Sequence, residues 1–487
     1  MAVLFGLLAL TALAGCGGDD EETVAHGDPI KLDVLVYNIE YSGDATTDAV
    51  IRDVDADVVG VLESYERLPE IAERTGYPYY NTSLQILSKF PILEASGGDG
   101  LYAMLEVEPG YVVPFFNVHL DYVDWGPRAL AKGVPAEEVI DNENAVRTAA
   151  LARPIAAMGE LVNAGYPVFL TGDFNEPSSL DYTEEAVGTR KEITERVAWP
   201  VSSLLFDVGF RDTYREVNPD PVAVPGITQE RSGERIDYVY AAGPSETLDS
   251  KLVGEPGGED VDIEEAPWTS DHRAVLSTFD VTPAEMPTLV AVDARLATAG
   301  DEITVSWNDA EADGNEVAIV PEGADPADAL ETIDAAQPRG DAPLDTGGWE
   351  PGSYEAVLLG SDEEIARVSF YLRDPDAKLD FGTDKTVYEK GEPIRVSWTG
   401  GPANRWDWLG VYPADDSDPE KGSYLTWDYA EGHSAGTVPP RTVGEAVLGP
   451  NSQGNSWPLP PGDYVVHYLL ADQYDSAGSA EFTVAGD

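Results

Sequence analysis

The chain contains the apolar run Pro167-Val168-Phe169-Leu170-Thr171, and Gly172-Asp173-Phe174-Asn175 follows it directly. A short apolar run that ends in a turn is typical of a strand in the interior of a sheet. The turn places an aspartate and an asparagine where this strand ends. Since α/β enzymes carry their active-site groups on the loops after strands, this stretch predicts an α/β fold with a polar site.

The same arrangement recurs on both sides of this stretch, over residues 31–282. Apolar segments predict strands at Lys31–Ile39, Ala56–Leu62, Tyr111–Leu120, Ile236–Ala241 and Arg273–Val281. The segment Ile140–Ala164 has helical periodicity, and Gly165 fits a C-cap. Strands that alternate with helices predict one α/β domain here.

Polar residues stand at the ends of these predicted strands: Asn38, Glu63, Asn117, His119, Asp173, Asn175, Arg235, Asp237, Asp271 and His272. Each has an ordinary structural explanation when it is taken alone, because an Asp-His pair more often forms a structural hydrogen bond. In this order they resemble the endonuclease/exonuclease/phosphatase (DNase I-like) superfamily, and Ile86–Ile92 resembles its strand-turn segment. The resemblance covers residues 31–280 and implies an α/β four-layer β-sandwich as the catalytic domain.

Carboxylate and amide side chains favour a hard divalent cation at this site. Mg²⁺ prefers oxygen ligands, and Mn²⁺ accepts the same set. The resemblance implies that Glu63 is the principal metal ligand, with Asn38 beside it and Asp271 facing the same ion. The family often has Gln before the metal-binding Glu, and Leu62 stands there in this chain. This departure removes a supporting hydrogen bond but no ligand.

The resemblance also implies catalytic roles for five residues. Asp173 would align or deprotonate the attacking water, and Asn175 would hold a phosphate oxygen. His272 would act at the reacting phosphate, either as general base or as an imidazolium that stabilises its charge. Asp237 would orient His272 and fix its tautomer. His119 would contact the phosphate and assist the leaving group.

Three segments are candidates for contact with the substrate. The segment Asp121–Asn142 is either a surface loop or a substrate rim in which Arg128 meets a phosphate. The segments Asp212–Arg215 and Pro225–Thr228 are candidates for another rim. The pair Trp406 and Trp408 could form a sugar-binding patch, but core packing is the favoured interpretation.

The helix signal fades after residues 283–289, which are predicted to be a domain boundary. A weak internal repeat follows, in which Ile303–Trp307, Val320–Pro321 and Pro351–Tyr354 correspond to Ile394–Trp398, Tyr412–Pro413 and Pro461–Tyr464. Short strands punctuated by Gly and Pro predict two all-β sandwich domains, at 288–375 and 378–487. They resemble the Ig-like modules that follow catalytic domains in exported enzymes.

The amino-terminal residues 1–16 resemble a bacterial lipoprotein signal. Residues 2–15 are apolar or small and end at Cys16, the only cysteine of the chain. No Lys or Arg precedes the apolar run, which departs from the usual pattern. We expect lipidation at Cys16, a polar linker over residues 17–30, and an exported protein anchored to the membrane at the cell surface or in the periplasm. Plain secretion and an accidental apolar tail are the alternatives.

The net charge of −61 argues against tight nonspecific binding of nucleic acid, which needs a basic stripe. The leading hypothesis is therefore a metal-dependent phosphoesterase that acts on exogenous phosphate esters. The alternatives are an extracellular endo- or exonuclease, a sphingomyelinase-like lipase, and a surface binding protein with a relic catalytic domain. The expected partners are a phosphate-ester substrate, a membrane through the lipid anchor, and nucleic acid only as substrate. No obligate protein partner is evident.

Overall fold

The computed structural model describes residues 24–486, apart from residues 99, 310–313, 361–362, 375, 377, 405, 431–441, 451 and 455. The predicted lipoprotein signal with Cys16, and residues 17–23 of the predicted linker, therefore lie outside the described residues. Within the described part of the chain, no helix combines the length and the apolar character that a membrane crossing requires.

The first part of the described chain, up to Met286, is a mixed α/β structure. Its strands are β1 (Ile30–Asn38), β2 (Val58–Leu62), β3 (Tyr79–Asn81), β4 (Ile86–Ser88), β5 (Ile92–Ala95), β6 (Tyr102–Glu108), β7 (Tyr111–His119), β8 (Val168–Asp173), β9 (Arg211–Asp212), β10 (Asp237–Ala242), β11 (Ser245–Gly254), β12 (Val261–Glu264), β13 (Ala274–Val281) and β14 (Ala284–Glu285). Its helices are α1 (Ala45–Val54), α2 (Leu68–Thr75), α3 (Gly126–Ala131), α4 (Ala136–Glu143), α5 (Ala152–Asn163), α6 (Pro200–Val208) and α7 (Thr213–Val217), with a 3-10 turn at Tyr65–Arg67 and a π-helical turn at Asn144–Thr148.

The rest of the described chain is built from strands. The first β module contains β15 (Leu289–Val292), β16 (Leu296–Thr298), β17 (Glu302–Asn308), β18 (Glu316–Pro321), β19 (Glu331–Asp334), β20 (Arg339–Asp345), β21 (Gly352–Leu359) and β22 (Glu364–Arg373). The second β module contains β23 (Asp380–Thr383), β24 (Val387–Tyr388), β25 (Ile394–Thr399), β26 (Trp408–Pro413), β27 (Thr426–Tyr429), β28 (Gly444–Leu448), β29 (Gly462–Leu469) and β30 (Ser476–Val484).

Two sheets pack face to face in the first part, and helices cover their outer faces. The first sheet has the order β12-β11-β13-β1-β2-β4-β3, and the second includes the run β5-β6-β7-β8-β10-β9. The core between them includes Phe169 and Phe279, whose ring centroids are 4.8 Å apart. Helices α1 and α2 pack on the outer face of the first sheet, and α5 and α6 pack on that of the second. Both faces of the sheets are therefore buried, as the continuous apolar runs require, and the predicted four-layer sandwich is confirmed.

The helical periodicity predicted over Ile140–Ala164 is confirmed, with one irregularity. The structure divides this region into α4, the π-helical turn and α5. Arg147 lies in the π-helical turn, is fully buried, and donates to the Glu143 carboxylate at 2.5 Å and to the Val123 carbonyl at 2.8 Å. The extra residue per turn coincides with this buried ion pair, which periodicity alone does not reveal.

The segment 283–289, predicted to be a domain boundary, contains β14 and the start of β15, and both of these strands pair with strands of the first part. Strand β14 pairs with β7, and β15 pairs with β5 through Ala291 opposite Ala95. The second sheet consequently continues through β15 into β17 and β20 of the first β module. Residues 24–30, predicted as linker, also lie against this region, since Gly27 N donates to the Pro283 carbonyl at 2.9 Å.

The predicted internal repeat is confirmed by strand order. One sheet of the first β module runs β16-β22-β21-β18-β19, and the second module has β24-β30-β29-β26-β27 at the equivalent positions. Tyr354 at the start of β21 donates its hydroxyl to the Glu350 carbonyl at 2.5 Å, and Tyr464 donates in the same way to the Pro460 carbonyl at 2.7 Å. Both modules are thus built from one eight-strand pattern.

Because Leu289, the last residue of the predicted boundary segment, lies in the core of the first part, Leu289→Ala should destabilise the protein. We expect the free energy of unfolding, measured by urea denaturation, to fall by about 2–5 kcal/mol, as for other buried leucines. Leu330→Ala is the control, because Leu330 is 54% exposed in the same module, and it should change stability by less than about 0.5 kcal/mol. Equal effects of the two substitutions would contradict the shared core.

Candidate active site

The polar site lies where β1, β2, β7 and β8 end and where β10, antiparallel to β8, begins. In the strand register Asn38 is opposite Leu62, so Glu63 is the next residue beyond this pair. His119 is opposite Asp173, and Asp173 is opposite Asp237. Five positions that are far apart in the sequence are therefore brought to one end of the sandwich.

Asn38 connects the two halves of this site. Its fully buried amide donates to Glu63 Oε1 at 3.0 Å and to Asp173 Oδ2 at 3.1 Å. Its oxygen accepts a hydrogen bond from Glu40 N at 3.1 Å. Asn38 thus positions the Glu63 and Asp173 carboxylates, and its role as a direct metal ligand stays a prediction.

Three carboxylates gather on the open side of Asn38. Glu63 accepts a hydrogen bond from Tyr41 N at 2.9 Å, and Glu40 accepts one from Asp271 N at 3.0 Å. Burial raises the pKa of the Glu40 carboxyl, and the negative charges of Asp271 and Glu63 raise it further. Among the described residues, no Lys or Arg forms an ion pair with Glu40, Glu63 or Asp271. Apart from His272, whose Nε2 lies 3.7 Å from Asp271 Oδ1, no basic side chain of the described chain pairs with this group.

Glu40 was not singled out by the sequence analysis, although a signal for it existed. It follows Asn38 by two residues at the end of the same strand. Its backbone has φ of 52°, and Tyr41 and Ser42 have φ of 43° and 72°. This left-handed run turns the chain so that Glu40 reaches Asp271. Backbone strain of this kind concentrates at functional sites, but a sequence does not display it.

His272 and Asp237 form a buried pair beside the carboxylate group. His272 Nδ1 lies 2.9 Å from Asp237 Oδ2, and Nε2 lies 3.8 Å from Asp173 Oδ2. Burial lowers the pKa of His272, but the carboxylates of Asp237 and Asp173 outweigh it and raise that pKa to about 10. Gln229, which the sequence analysis missed, places its side-chain amide 3.1 Å from His272 Nε2. The Asp237 contact therefore holds the imidazole in one orientation. The protonation that this pKa implies at neutral pH requires Gln229 to present its amide oxygen to Nε2, because an amide N–H cannot donate to an imidazolium N–H.

Asp173 lies between the two histidines of the site. Its Oδ2 is 3.5 Å from His119 Nε2, and its Oδ1 accepts a hydrogen bond from Asn175 N at 3.0 Å. Burial, with the charge of Asp237 next in importance, raises the pKa of Asp173 to about 6. Asn175 has φ of 47° and donates one amide N–H to the Leu120 carbonyl at 3.0 Å, which leaves its second N–H for another acceptor.

A second group of possible metal ligands overlaps with this catalytic pair. Asp173, Asp237 and His272 each offer one ligand atom, and these atoms lie within 4.8 Å of one another. Among the described residues, this buried group is the converging set of three ligand atoms; the more open carboxylates around Glu63 do not converge to the same degree and are the alternative place for an ion. A protonated imidazole cannot ligate a metal, so occupation of the buried group would require His272 to lose its proton.

Two polar residues of the sequence pattern are structural. The Asn117 amide donates to the carbonyls of Val61, Leu84 and Gln85 at 3.1–3.3 Å, and so ties β7 to the first sheet. Arg235 is fully buried and donates to both Asp212 oxygens, at 3.0 and 2.6 Å.

The second predicted substrate rim, Asp212–Arg215 with Pro225–Thr228, is wrong. Arg215 is buried and donates to Asp181 at 2.6 Å and to the Pro225 carbonyl at 2.7 Å. This bonding fixes the two segments together. The Thr228 hydroxyl oxygen accepts hydrogen bonds from the backbone N–H groups of Ile236 and Asp237. These segments therefore position the start of β10, which carries Asp237.

The site opens into a cleft of about 1600 Å³. Arg128 lines this cleft, and its guanidinium lies 5.9 Å from the centre of the Trp125 ring; its contact with a substrate phosphate stays a prediction. Lys132 and Arg231 line it as well. Trp406 and Trp408 of the second β module are buried as the sequence favoured, yet they also line the cleft.

A family model described as the Endonuclease/Exonuclease/phosphatase family matches residues 35–272. The chain carries a domain of this family. Its match with an uncharacterized protein of Caenorhabditis elegans is 28% identical over 224 residues and covers 39% of this chain and 70% of that protein. A match with UDP-N-acetylmuramoylalanine–D-glutamate ligase of Rhodococcus jostii is 26% identical over 214 residues and covers 42% of this chain and 41% of that protein. The chain thus spans less than half the length of the second relative.

A solved structure of D. rerio TDP2, complexed with a single-strand DNA product, is similar at 14% sequence identity with a TM-score of 0.30. That match covers 52% of this chain and 99% of the TDP2 chain. The endonuclease/exonuclease/phosphatase domain at residues 35–272 supports a hydrolase that acts on phosphate esters.

Because of its pairing with Asp237, His272 of the endonuclease/exonuclease/phosphatase domain should have a raised pKa that can be measured. In metal-free protein, the imidazole resonances of His272 should titrate near pH 10, and Asp237→Asn should move this pKa down because it removes a raising charge. NMR of ¹⁵N-histidine-labelled protein measures both values, and His467, whose pKa is lowered by burial, is the internal control. The folded pKa lies above the ordinary value of about 6.5, so the pair stabilises the fold fully below pH ~6.5 and this contribution is lost as pH rises to about 10. A His272 titration near pH 6.5 in the wild type would contradict this account.

Proposed function

We propose that this chain is a divalent-metal-dependent phosphoesterase that hydrolyses phosphomono- or phosphodiesters by in-line attack of water. One observation carries the proposal. The carboxylates Glu40, Glu63 and Asp271, with which no Lys or Arg of the described chain pairs, line the same cleft as His272, which is held by Asp237. The first group suits a cation, and the second suits a phosphate.

The donor set fits Mg²⁺ or Mn²⁺. All side-chain donors of the open group are oxygens, which hard divalent cations prefer. Burial and neighbouring negative charge raise the pKa values of Glu40 and Asp271, so a bound cation would relieve repulsion. Glu63 and Asp271 would hold the ion, with Asn38 and Glu40 beside them. When bound, it would neutralise charge on the phosphate and on the leaving oxygen.

The chain's own residues would then bind the phosphate and move protons. Asp173, with a pKa of about 6, suits a general base that aligns and deprotonates water near neutral pH. The imidazolium of His272, held through Nδ1 by Asp237, would bind a phosphate oxygen through Nε2. The free N–H of Asn175 would donate to another phosphate oxygen, and His119 would assist the leaving group. Arg128 would meet the substrate at the rim of the cleft.

The assay uses protein lacking residues 1–18 with bis(p-nitrophenyl) phosphate, p-nitrophenyl phosphate and plasmid DNA. We expect hydrolysis of the small esters with Mg²⁺ or Mn²⁺ and none with EDTA. His272→Ala and Glu63→Gln should each reduce the rate by about 10²–10⁴-fold, the usual contribution of one catalytic group. Glu66→Gln is the matched control, since Glu66 is exposed and does not line the cleft.

Three outcomes would count against the proposal in different ways. DNA nicking that outpaces small-ester hydrolysis would favour an extracellular nuclease. Turnover that persists in EDTA would contradict the metal dependence. A lack of turnover of all three substrates, with Mg²⁺ and Mn²⁺ present, would favour a binding protein with a relic domain.

We further propose that the protein is exported and anchored by a lipid on Cys16, on the basis of the apolar run that precedes it. In bacterial cells that process lipoproteins, the full chain should incorporate radiolabelled palmitate and partition into Triton X-114. Cys16→Ser should lose both properties. Equal partitioning of the two proteins into the aqueous phase would contradict the anchor.

A further inference from the structure

The second β module forms one wall of the catalytic cleft. Trp406 is buried between the module and the catalytic domain, and its ring lies 5.1 Å from that of His119 and 6.0 Å from that of Tyr65. With the Gln85 amide oriented to donate to the Val61 carbonyl, its oxygen accepts from Trp406 Nε1 at 3.1 Å. Trp406 therefore limits where His119 can move, and a sandwich that could be a spacer is part of the site.

A strained turn fixes the position of this wall. Gln473 N donates to the Leu470 carbonyl at 2.7 Å, and the two residues between them, Ala471 and Asp472, have φ of 46° and 56°. Two left-handed residues in succession define a type I′ turn, which normally requires Asn or Gly. The buried Asp407 carboxylate accepts from Ala471 N at 3.0 Å and holds the turn. Strain that the surroundings maintain in this way is common at ligand-binding sites.

The turn delivers Asp472 to the boundary between the domains. One carboxylate oxygen accepts from the Tyr65 hydroxyl of the catalytic domain at 3.1 Å, and the other accepts from the Tyr429 hydroxyl at 3.1 Å. Tyr65 is two residues after Glu63. The hydrogen bond of Asp472 to Tyr65 therefore connects the module to the segment that carries the predicted metal ligand. The wall and the reaction centre therefore have a fixed relative position.

Beyond Trp406 and Tyr429, four aromatic residues of the module line the cleft, and we name them the aromatic wall: Trp408, Tyr424, Trp427 and Tyr474. The Trp408 ring lies 5.6, 6.0 and 5.7 Å from those of Tyr424, Trp427 and Tyr474, in each case edge to face. Tyr424 and Tyr474 are 39% and 45% exposed. Large aromatic side chains left open to solvent beside a reaction centre are a surface for a ligand.

The aromatic wall and the basic residues of the cleft differ in origin and in chemistry. Arg128, Lys132 and Arg231 all come from the catalytic domain, whereas the described module contributes aromatic rings, amides and Asp472 to the lining. The basic residues suit the phosphate, and the wall suits an uncharged organic group. The Trp408 ring contacts the other three rings edge to face, so the four residues form one connected aromatic surface.

We propose that the aromatic wall is the subsite for the organic group of the phosphate ester, and that this group presents a flat ring. A nucleobase or a sugar ring supplies the same chemistry, since either can stack its face on Trp and Tyr. This inference rests on the proposed function and adds a substrate class to it. It also assigns the second β module a role in specificity.

The test compares phosphodiesters that share the p-nitrophenyl leaving group and differ in the second substituent: methyl, thymidine 5′, glucose 6 and choline. The wild type should hydrolyse at least one ring ester with a kcat/KM about 10–100-fold above that of the methyl ester, the range expected for one stacked ring. The thymidine and glucose arms identify which ring is preferred. Trp427→Ala and Tyr424→Ala should each bring this ratio close to one, and Trp427→Phe should retain most of it.

Trp349→Ala is the matched control, because Trp349 is half-buried in the first β module and does not line the cleft. It should leave the ratio unchanged. If the methyl ester is hydrolysed and the ratio of ring-ester to methyl-ester kcat/KM is the same in every variant, the aromatic subsite is overturned and the proposed function stands. A choline ester preferred through Trp427 would overturn the ring assignment. An absence of turnover of all four esters would contradict the proposed function, and this inference with it.

Discussion

The structure of the site depends on holding the carboxylates of Glu40, Glu63 and Asp271 close together although their negative charges repel one another. Like charges at close range disfavour the folded state unless a cation joins them or their positions are enforced. Here the backbone enforces them. Glu40 and Glu63 have φ of 52° and 59°, a conformation that costs about 1–3 kcal/mol for a residue other than glycine. The buried strands β1 and β2 hold both turns, because Asn38 and Leu62 are paired in the sheet immediately before them.

The same sheets determine where the two β modules lie relative to the cleft. Because β15 pairs with β5, the first β module is an extension of the catalytic domain's second sheet. The second β module then reaches the cleft through Asp472 and Trp406. Two copies of one eight-strand pattern have therefore taken different positions relative to the site. The first continues a sheet, and the second forms one wall of the cleft.

The sequence predicted those features that depend on local pattern. The strands, the four layers and the approach of Asp173, Asp237 and His272 follow from apolar runs that end in polar residues. Glu40 was missed because its importance comes from a left-handed turn, which a sequence does not show. Arg215 was misassigned because an arginine that is buried with Asp181 and one that faces a substrate look alike in sequence. The place of Trp406 depends on contacts between residues almost 300 positions apart, which no local pattern contains.

The central claim is that the open carboxylate group, and not the buried one, holds the catalytic ion. Anomalous diffraction from crystals soaked in Mn²⁺ tests it most directly, because the ion's position can be compared with both groups. The account predicts a peak between Glu63 and Asp271, with the Asp237–His272 hydrogen bond intact. A peak enclosed by Asp173, Asp237 and His272, or no peak at either group, would contradict it.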